Sequence, residues 1–249
     1  DLTFGAGYRR SYYELSTGRK YNTDTYKLSA EFAPIKDVRF RAAYNRAVRA
    51  PNIQELFAPQ FVGLDGSNDA CAHTITAADF GCLAQGLVVG QSPAPNPAGQ
   101  YNGLLGGNPN LDPETATTKT LGVILQPQQW LPGFAFTIDW WNIEVKDAIQ
   151  GFGADAILNA CVSQTTASFE SPACALIQRD PAGSLWLTPG GFVTDTPNNE
   201  GKVKTNGFDF NGAYSHRISD LGSLSASFNG TWLKHYKVDN GLTDEYDCA

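Results

Sequence analysis

Residues 46–57 read RAVRAPNIQELF, and residues 107–115 read GNPNLDPET. The first stretch closes a run, 38–45 (VRFRAAYN), that alternates along an extended chain. Val38, Phe40, Ala42 and Tyr44 share one side, and Arg39, Arg41, Ala43 and Asn45 share the other. Pro51 has no N–H to give a ladder, so it ends this strand, and Ala50 before it is held extended. NIQELF then has the makings of one helical turn. Asn52 is a candidate N-cap and Glu55 occupies the capping-box position three residues on. Leu56 and Phe57 are left to pack the turn back onto its neighbours. GGNPN supplies turn residues, and Pro113-Glu114 restarts an extended segment. The two stretches therefore predict a strand that ends, a large excursion, and a strand that begins.

The same period of two recurs along the chain. In 224–233 (LSASFNGTWL), Leu224, Ala226, Phe228 and Trp232 oppose Ser225, Ser227, Asn229 and Thr231; in 207–215, Phe208, Phe210 and Tyr214 oppose Asp209, Asn211 and Ser215. Similar patterns occupy 2–13, 24–33, 117–126 and 133–146. Seven strands are predicted, several of ten residues or more, against about 5–6 in ordinary globular sheets. Their connections alternate in length. Short turns at 33–37, 127–133 and 219–222 alternate with longer segments at 16–22, about 50–113 and about 147–203. In an antiparallel meander this puts every short turn at one end and every long loop at the other, the pattern of an outer-membrane barrel. The apolar face would then meet lipid and the polar face a wet lumen. Tyr8, Tyr44, Trp140, Tyr214, Trp232 and Tyr236 would form interfacial belts. A secreted carbohydrate-binding β-sandwich, which would bury the apolar face against a second sheet, is an alternative.

Composition narrows the classes. Charged residues make up 17% of the 249 and the formal net charge is −7. No basic face is available for phosphate contacts, which excludes nucleic acid as a partner. No run of 18 apolar residues exists, and a mean hydropathy of −0.28 does not speak against strands that cross a bilayer. Cys71 and Cys82 fall in one irregular region and Cys161 and Cys174 in another. These short-range pairs point to loop-local disulfides formed in an oxidising compartment, with Cys248 left over. There is no CxxC, and His73, His216 and His235 are scattered, so no metal site is expected. Met is absent, the chain opens inside a strand-like DLTFGAGY, and it stops in the polar EYDCA. It is expected to be the middle of a longer protein.

RAVRAPNIQELF followed by GNPNLDPET closely resembles the pair of motifs in the barrel of TonB-dependent outer-membrane receptors. The matching residues are Arg49, Ala50, Pro51, Glu55, Leu56 and Phe57, then Gly107, Asn108, Pro109, Leu111, Pro113 and Glu114. GFDF (207–210) and the strand pair after the second motif also look like the family, and the resemblance covers essentially 1–249. It implies an all-β slice of a 22-stranded transmembrane barrel, near strands eleven to seventeen, with long disulfide-bearing extracellular loops. The plug, the TonB-contacting segment and the closing strand would lie outside this chain. It also implies a Gram-negative outer-membrane location, among lipid and lipopolysaccharide. The function implied is active uptake of a scarce nutrient of the siderophore, cobalamin or oligosaccharide class, with energy from the TonB complex. A passive porin or adhesive barrel is the competing reading.

Ligand contacts in such a receptor come from the lumen wall and loop apices. In 50–113 the candidates are Phe57, Phe61, His73, Phe80 and Tyr101; in 148–202 they are Phe152, Phe169, Arg179, Trp186 and Phe192. Residues 179–193 (RDPAGSLWLTPGGFV) read as a hairpin with an aromatic strand between two turns. Such a hairpin suits an uncharged or sugar-like ligand. No enzyme chemistry and no cofactor is read from the chain. FGAGY (4–8) lies within a strand and lacks the helix of a phosphate loop, and no Gly-x-Ser-x-Gly occurs. Asp239, Asp244, Glu245 and Asp247 lack the spacing and central Gly of a calcium loop.

Overall fold

The computed structural model describes residues 1–163, 171–242 and 244–249. In chain order the elements are β1 (Leu2–Glu14), β2 (Lys20–Ile35) and β3 (Val38–Arg49), then α1 (Ile53–Phe57), β4 (Phe61–Gly66), α2 (Phe80–Ala84) and β5 (Tyr101–Leu105). β6 (Glu114–Leu125) and β7 (Phe134–Gln150) follow, then α3 (Ala154–Val162), β8 (Ile177–Gln178) and β9 (Phe192–Thr194). β10 (Asn198–Ile218), β11 (Gly222–Asp239) and β12 (Tyr246–Asp247) complete the chain. The seven long strands are those expected from the alternation. They form one antiparallel sheet in the order β1-β2-β3-β6-β7-β10-β11, to which β12 adds a two-residue eighth strand. Strands adjacent in this meander follow one another along the chain, with no Greek-key crossing. The sandwich reading is set aside.

The registers carry each face across the sheet. Ala42, Leu121, Trp140, Phe208 and Trp232 lie in one cross-strand row, and Phe40, Val123, Ile138 and Phe210 in the next. Phe208 stacks on Trp232 with ring centroids 5.8 Å apart. Among the described residues nothing packs over this apolar face: Phe4 is 73% exposed and Trp232 58%. On the opposite face Arg41, Gly122, Asp139, Asp209 and Thr231 share a row. Arg41 Nε donates to Asp139 Oδ1 at 2.7 Å across the intervening strand β6. Gly122 permits that span, since a Cβ there would collide with the Asp139 carboxylate. Thr231 donates to Asp209 at 2.8 Å. The polar face is thus an ordered hydrogen-bonded wall.

One face assignment changes. β11 carries a bulge: Leu233 pairs with Gly207 but His235, not Lys234, pairs with Asn206. The extra residue reverses the alternation beyond it, so Tyr236, opposite Thr205, lies on the polar side instead of in the expected outer belt. Trp140 and Trp141 are split between the apolar and polar faces by the pleat.

The packed core lies outside the long sheet. Among the largest fully buried side chains are Ile75, Leu111, Ile157, Leu158, Leu185 and Val193. All six belong to the two long connections, which fold together around a second, four-stranded sheet in the order β4-β5-β9-β8.

Candidate functional site

The opening motif pair forms a clasp at the long-loop end of β3 and β6. Asn52 Oδ1 accepts from the Glu55 N–H at 2.9 Å while Glu55 Oε2 accepts from the Asn52 N–H at 2.7 Å, completing the capping box. Arg49 bridges the Glu55 and Glu114 carboxylates, at 3.0 and 2.6 Å. The second motif lies against this turn. The Gly107 N–H donates to Ala58 O and the Asn108 N–H to Glu55 O. A Cβ on Gly107 would meet backbone atoms of Leu56, Phe57 and Ala58 at 2.7 Å, so only glycine allows this approach. Pro109 and Pro113 flank the turn in which Leu111 is buried, and the Leu111 carbonyl accepts from Tyr21 Oη. Leu56 is buried, as expected of a turn packed back on its neighbours, whereas Phe57 stays exposed. Arg49-Ala50-Pro51 and Glu114 therefore serve to fix where the long loop leaves and rejoins the sheet.

Beyond the clasp, residues of both long connections make one body. β5 pairs with β4 from its own loop and, in parallel, with β9 from the other, through Gly103–Val193 and Leu104–Thr194. Disulfides Cys71–Cys82 and Cys161–Cys174 brace the two halves. Gln85 Nε2 lies 3.6 Å from Cys71 Sγ and 3.3 Å from Cys161 Sγ, so both bridges meet at one side chain. Gly81 packs on the Cys161 and Val162 backbone with no room for a Cβ. The core joins Tyr101 of the first loop to Ile157, Leu158, Leu185 and Val193 of the second. Cys248 is free and exposed.

Arg179 links the loops electrostatically. Its side chain is 3% exposed and that of its partner Asp69 is 2%. Both Nη atoms reach the Asp69 carboxylate at 2.8 Å, Nε and Nη2 reach Gln85 Oε1, and Nη1 reaches the Gly183 carbonyl. Every donor of the fork is engaged, so Arg179 sits inside the unit and not at a ligand surface. Tyr101 is likewise buried, its hydroxyl accepting from the Asn96 N–H at 3.0 Å. Trp186 is half-buried and donates to Ala94 O; Phe192 is half-buried in β9. Phe57 and Phe61 are exposed. Phe169 lies outside the described residues.

The segment 179–193 closes differently from the expected hairpin. β8 and β9 do pair, Ile177 with Val193 and Gln178 with Phe192, but no strand runs through Trp186. Asp180 accepts from the Ala182 and Ser184 N–H groups and from Thr188 Oγ1, folding the tip into consecutive turns. An Asp before Pro-Ala-Gly is the signal for that fold.

A trio of carboxylates marks another junction of the loops. Burial pushes Asp155 upward, but donors from the Ser67 hydroxyl and the Ser67 and Asn68 N–H groups outweigh it and hold Asp155 below the usual carboxylate range. Asp65 moves the other way. Its burial and the neighbouring Asp195 carboxyl, with Asp155 beyond, push it up, against a backbone donor from Ala154. No group of three or more side chains suited to a metal occurs among the described residues.

A meander of long strands with one apolar and one polar face, short turns at one end and a folded loop unit at the other, defines a segment of a transmembrane barrel wall. The chain belongs to the family described as TonB dependent receptor-like, beta-barrel, whose model matches residues 1–247. No curated protein matches it. It is similar in structure to the ferric enterobactin receptor PfeA in complex with BCV-L6, at 15% identity and a TM-score of 0.50, over 97% of this chain and 28% of that one. A variant of that receptor from Pseudomonas aeruginosa in complex with enterobactin is similar at 15% identity and a TM-score of 0.50, over 97% and 31%. The siderophore receptor PirA from Acinetobacter baumannii matches at 15% identity and a TM-score of 0.49, over 87% and 26%. The chain thus spans roughly a quarter to a third of the solved receptors it matches.

Proposed function

We propose that this chain is the wall and loop portion of an outer-membrane receptor that captures a scarce nutrient of the siderophore, cobalamin or oligosaccharide class and imports it with energy from TonB. The observation that carries the reading is the fusion of two long loops into one disulfide-braced unit beside a sheet with a lipid-suited face. Rigid scaffolds that present such loops are where binding residues concentrate. Phe57 and Phe61, with the exposed edges of Trp186 and Phe192, would contact the ligand; Tyr101 and Arg179 would act by holding the unit in shape. Phe169 is proposed as a contact on sequence alone. Membership of the receptor family favours uptake over a passive porin or an adhesive barrel, and a transporter over an enzyme. The TonB complex would engage a segment outside this chain, and the apolar face would meet membrane lipid.

The test uses the full receptor in detergent, titrated with ferric enterobactin, cyanocobalamin and maltoheptaose. Replacing 154–196 by a short Gly/Ser linker should weaken binding of the preferred ligand at least tenfold, about 1.4 kcal/mol. The barrel should stay heat-resistant, because no long strand is removed. Unchanged affinity in the loop-replaced receptor would refute recognition by the loop unit.

A further inference from the structure

We infer that the loop unit takes an uncharged, hydroxyl-rich ligand of the oligosaccharide class and turns away an anionic iron chelate. This rests on the loop recognition proposed above, and it narrows three nutrient classes to one.

The two long connections are almost free of cations. Residues 50–113, between β3 and β6, contain no Lys or Arg but carry Glu55, Asp65, Asp69, Asp79 and Asp112. Residues 151–197, between β7 and β10, contain Arg179 alone, against Asp155, Glu170, Asp180 and Asp195. Arg179 is closed to a ligand, since its side chain is 3% exposed and its donors go to Asp69, Gln85 and Gly183. His73 leans on Asp79 at 3.4 Å. Arg49, Arg19 and Lys20, at the loop end of the sheet, face carboxylates too. Arg49 bridges Glu55 and Glu114, Arg19 reaches Asp112 at 2.7 Å, and Lys20 reaches Glu14 at 3.0 Å.

Backbone donors, the other means of holding an anion, are spent inside the unit. The N-terminus of α3 would attract one. There the Phe152 and Gly153 N–H groups donate to Asp195 at 2.9 and 3.1 Å, and the Ala154 N–H donates to Asp65. Ser67 and Asn68 give their N–H groups to Asp155. Among the described residues no cation compensates Asp65 or Asp155, and Asp65 is pushed upward by burial and by Asp195. Surfaces lined by one sign of charge concentrate its field, so an approaching anion is repelled.

What the unit offers instead is aromatic surface beside acceptors. Phe61 is 58% exposed and Phe57 39%. Asp65 lies over Gly103, on the face of β4 and β5 that also carries Phe61 and Leu105. Sugar rings have apolar C–H faces that an aromatic ring can cover, and their hydroxyls donate to carboxylates.

Equilibrium dialysis of the full receptor in detergent tests this with three uncharged glycans (maltoheptaose, cellohexaose and xylohexaose), ferric enterobactin and cyanocobalamin. One glycan should be preferred at least tenfold over both other ligands. Its affinity should change less than about twofold between ~50 and ~500 mM NaCl, because no ion pair is screened. Phe61→Ala should weaken it at least tenfold and Phe61→Tyr should keep it, both with heat-resistant mobility unaltered. Preference for ferric enterobactin or cyanocobalamin, lost on replacing 154–196, leaves loop recognition standing and overturns the glycan. Any ligand bound equally well after that replacement refutes loop recognition itself. No glycan bound, or glycan binding untouched by Phe61→Ala, also overturns the inference.

Discussion

Replacing Arg179 by Met removes a buried cation that ties the two long loops through an ion pair with Asp69. Five hydrogen bonds of 2.6–2.8 Å converge on its guanidinium, from Asp69, Gln85 and the Gly183 carbonyl. Met fills comparable space, so little of the loss comes from packing. Most of it comes from the Asp69 carboxylate, which would stay 2% exposed with only the Cys71 N–H as a remaining donor. Breaking a buried pair from one side costs about 3–5 kcal/mol, because the partner charge stays desolvated. Adding Asp69→Asn should therefore restore part of the loss, with an interaction energy of about 2–3 kcal/mol in the double-mutant cycle. Hydrogen exchange of the full receptor reads this directly, since local opening free energies appear in amide protection. Amides of 71–91 and 177–194 should lose protection together, while those of β6, β7 and β10 keep theirs. A loss below about 1 kcal/mol, or a loss confined to 177–194, would refute the view that Arg179 joins two loops into one unit.

Gly107→Ala should open the clasp between the motif pair, costing about 1–3 kcal/mol by overpacking against the α1 backbone and raising protease sensitivity near 55–60. On the apolar face, Phe210→Arg should cost about 2–4 kcal/mol in a barrel-assembly assay while Asn211→Arg costs little; equal tolerance would contradict the lipid-facing assignment. Asp65 has its folded value raised, so its favourable contribution is full below the unfolded carboxylate range and is lost as pH rises through that higher value. Asp65→Asn should accordingly stabilise the loop unit at pH 7 and not at pH 3, by hydrogen exchange at the two pH values; a gain of equal size at both would show that neither burial nor the Asp195 carboxyl penalises the charged form.

What the sequence determined by itself was the wall. Period-two alternation assigns each residue of a strand to a face without reference to anything else, so Phe208, Phe210, Trp232, Asp209 and Asn211 were legible one strand at a time. The alternation of short and long connections fixed the order of the meander, and Asn52, Glu55 and Gly107 announced the clasp through local capping and turn chemistry. Short separations also made the two disulfides legible, each closing within its own loop. The loop unit was decided only in three dimensions. Its second sheet pairs β5 with β9 across about ninety residues of chain, and its polar link joins Asp69 to Arg179; neither partner carries a local mark of the other. Arg179 and Tyr101 read as ligand-contact candidates in the sequence, and their burial follows only from what folds over them. Tyr236 changed face because one extra residue in β11 has a consequence only once a neighbouring strand fixes the register.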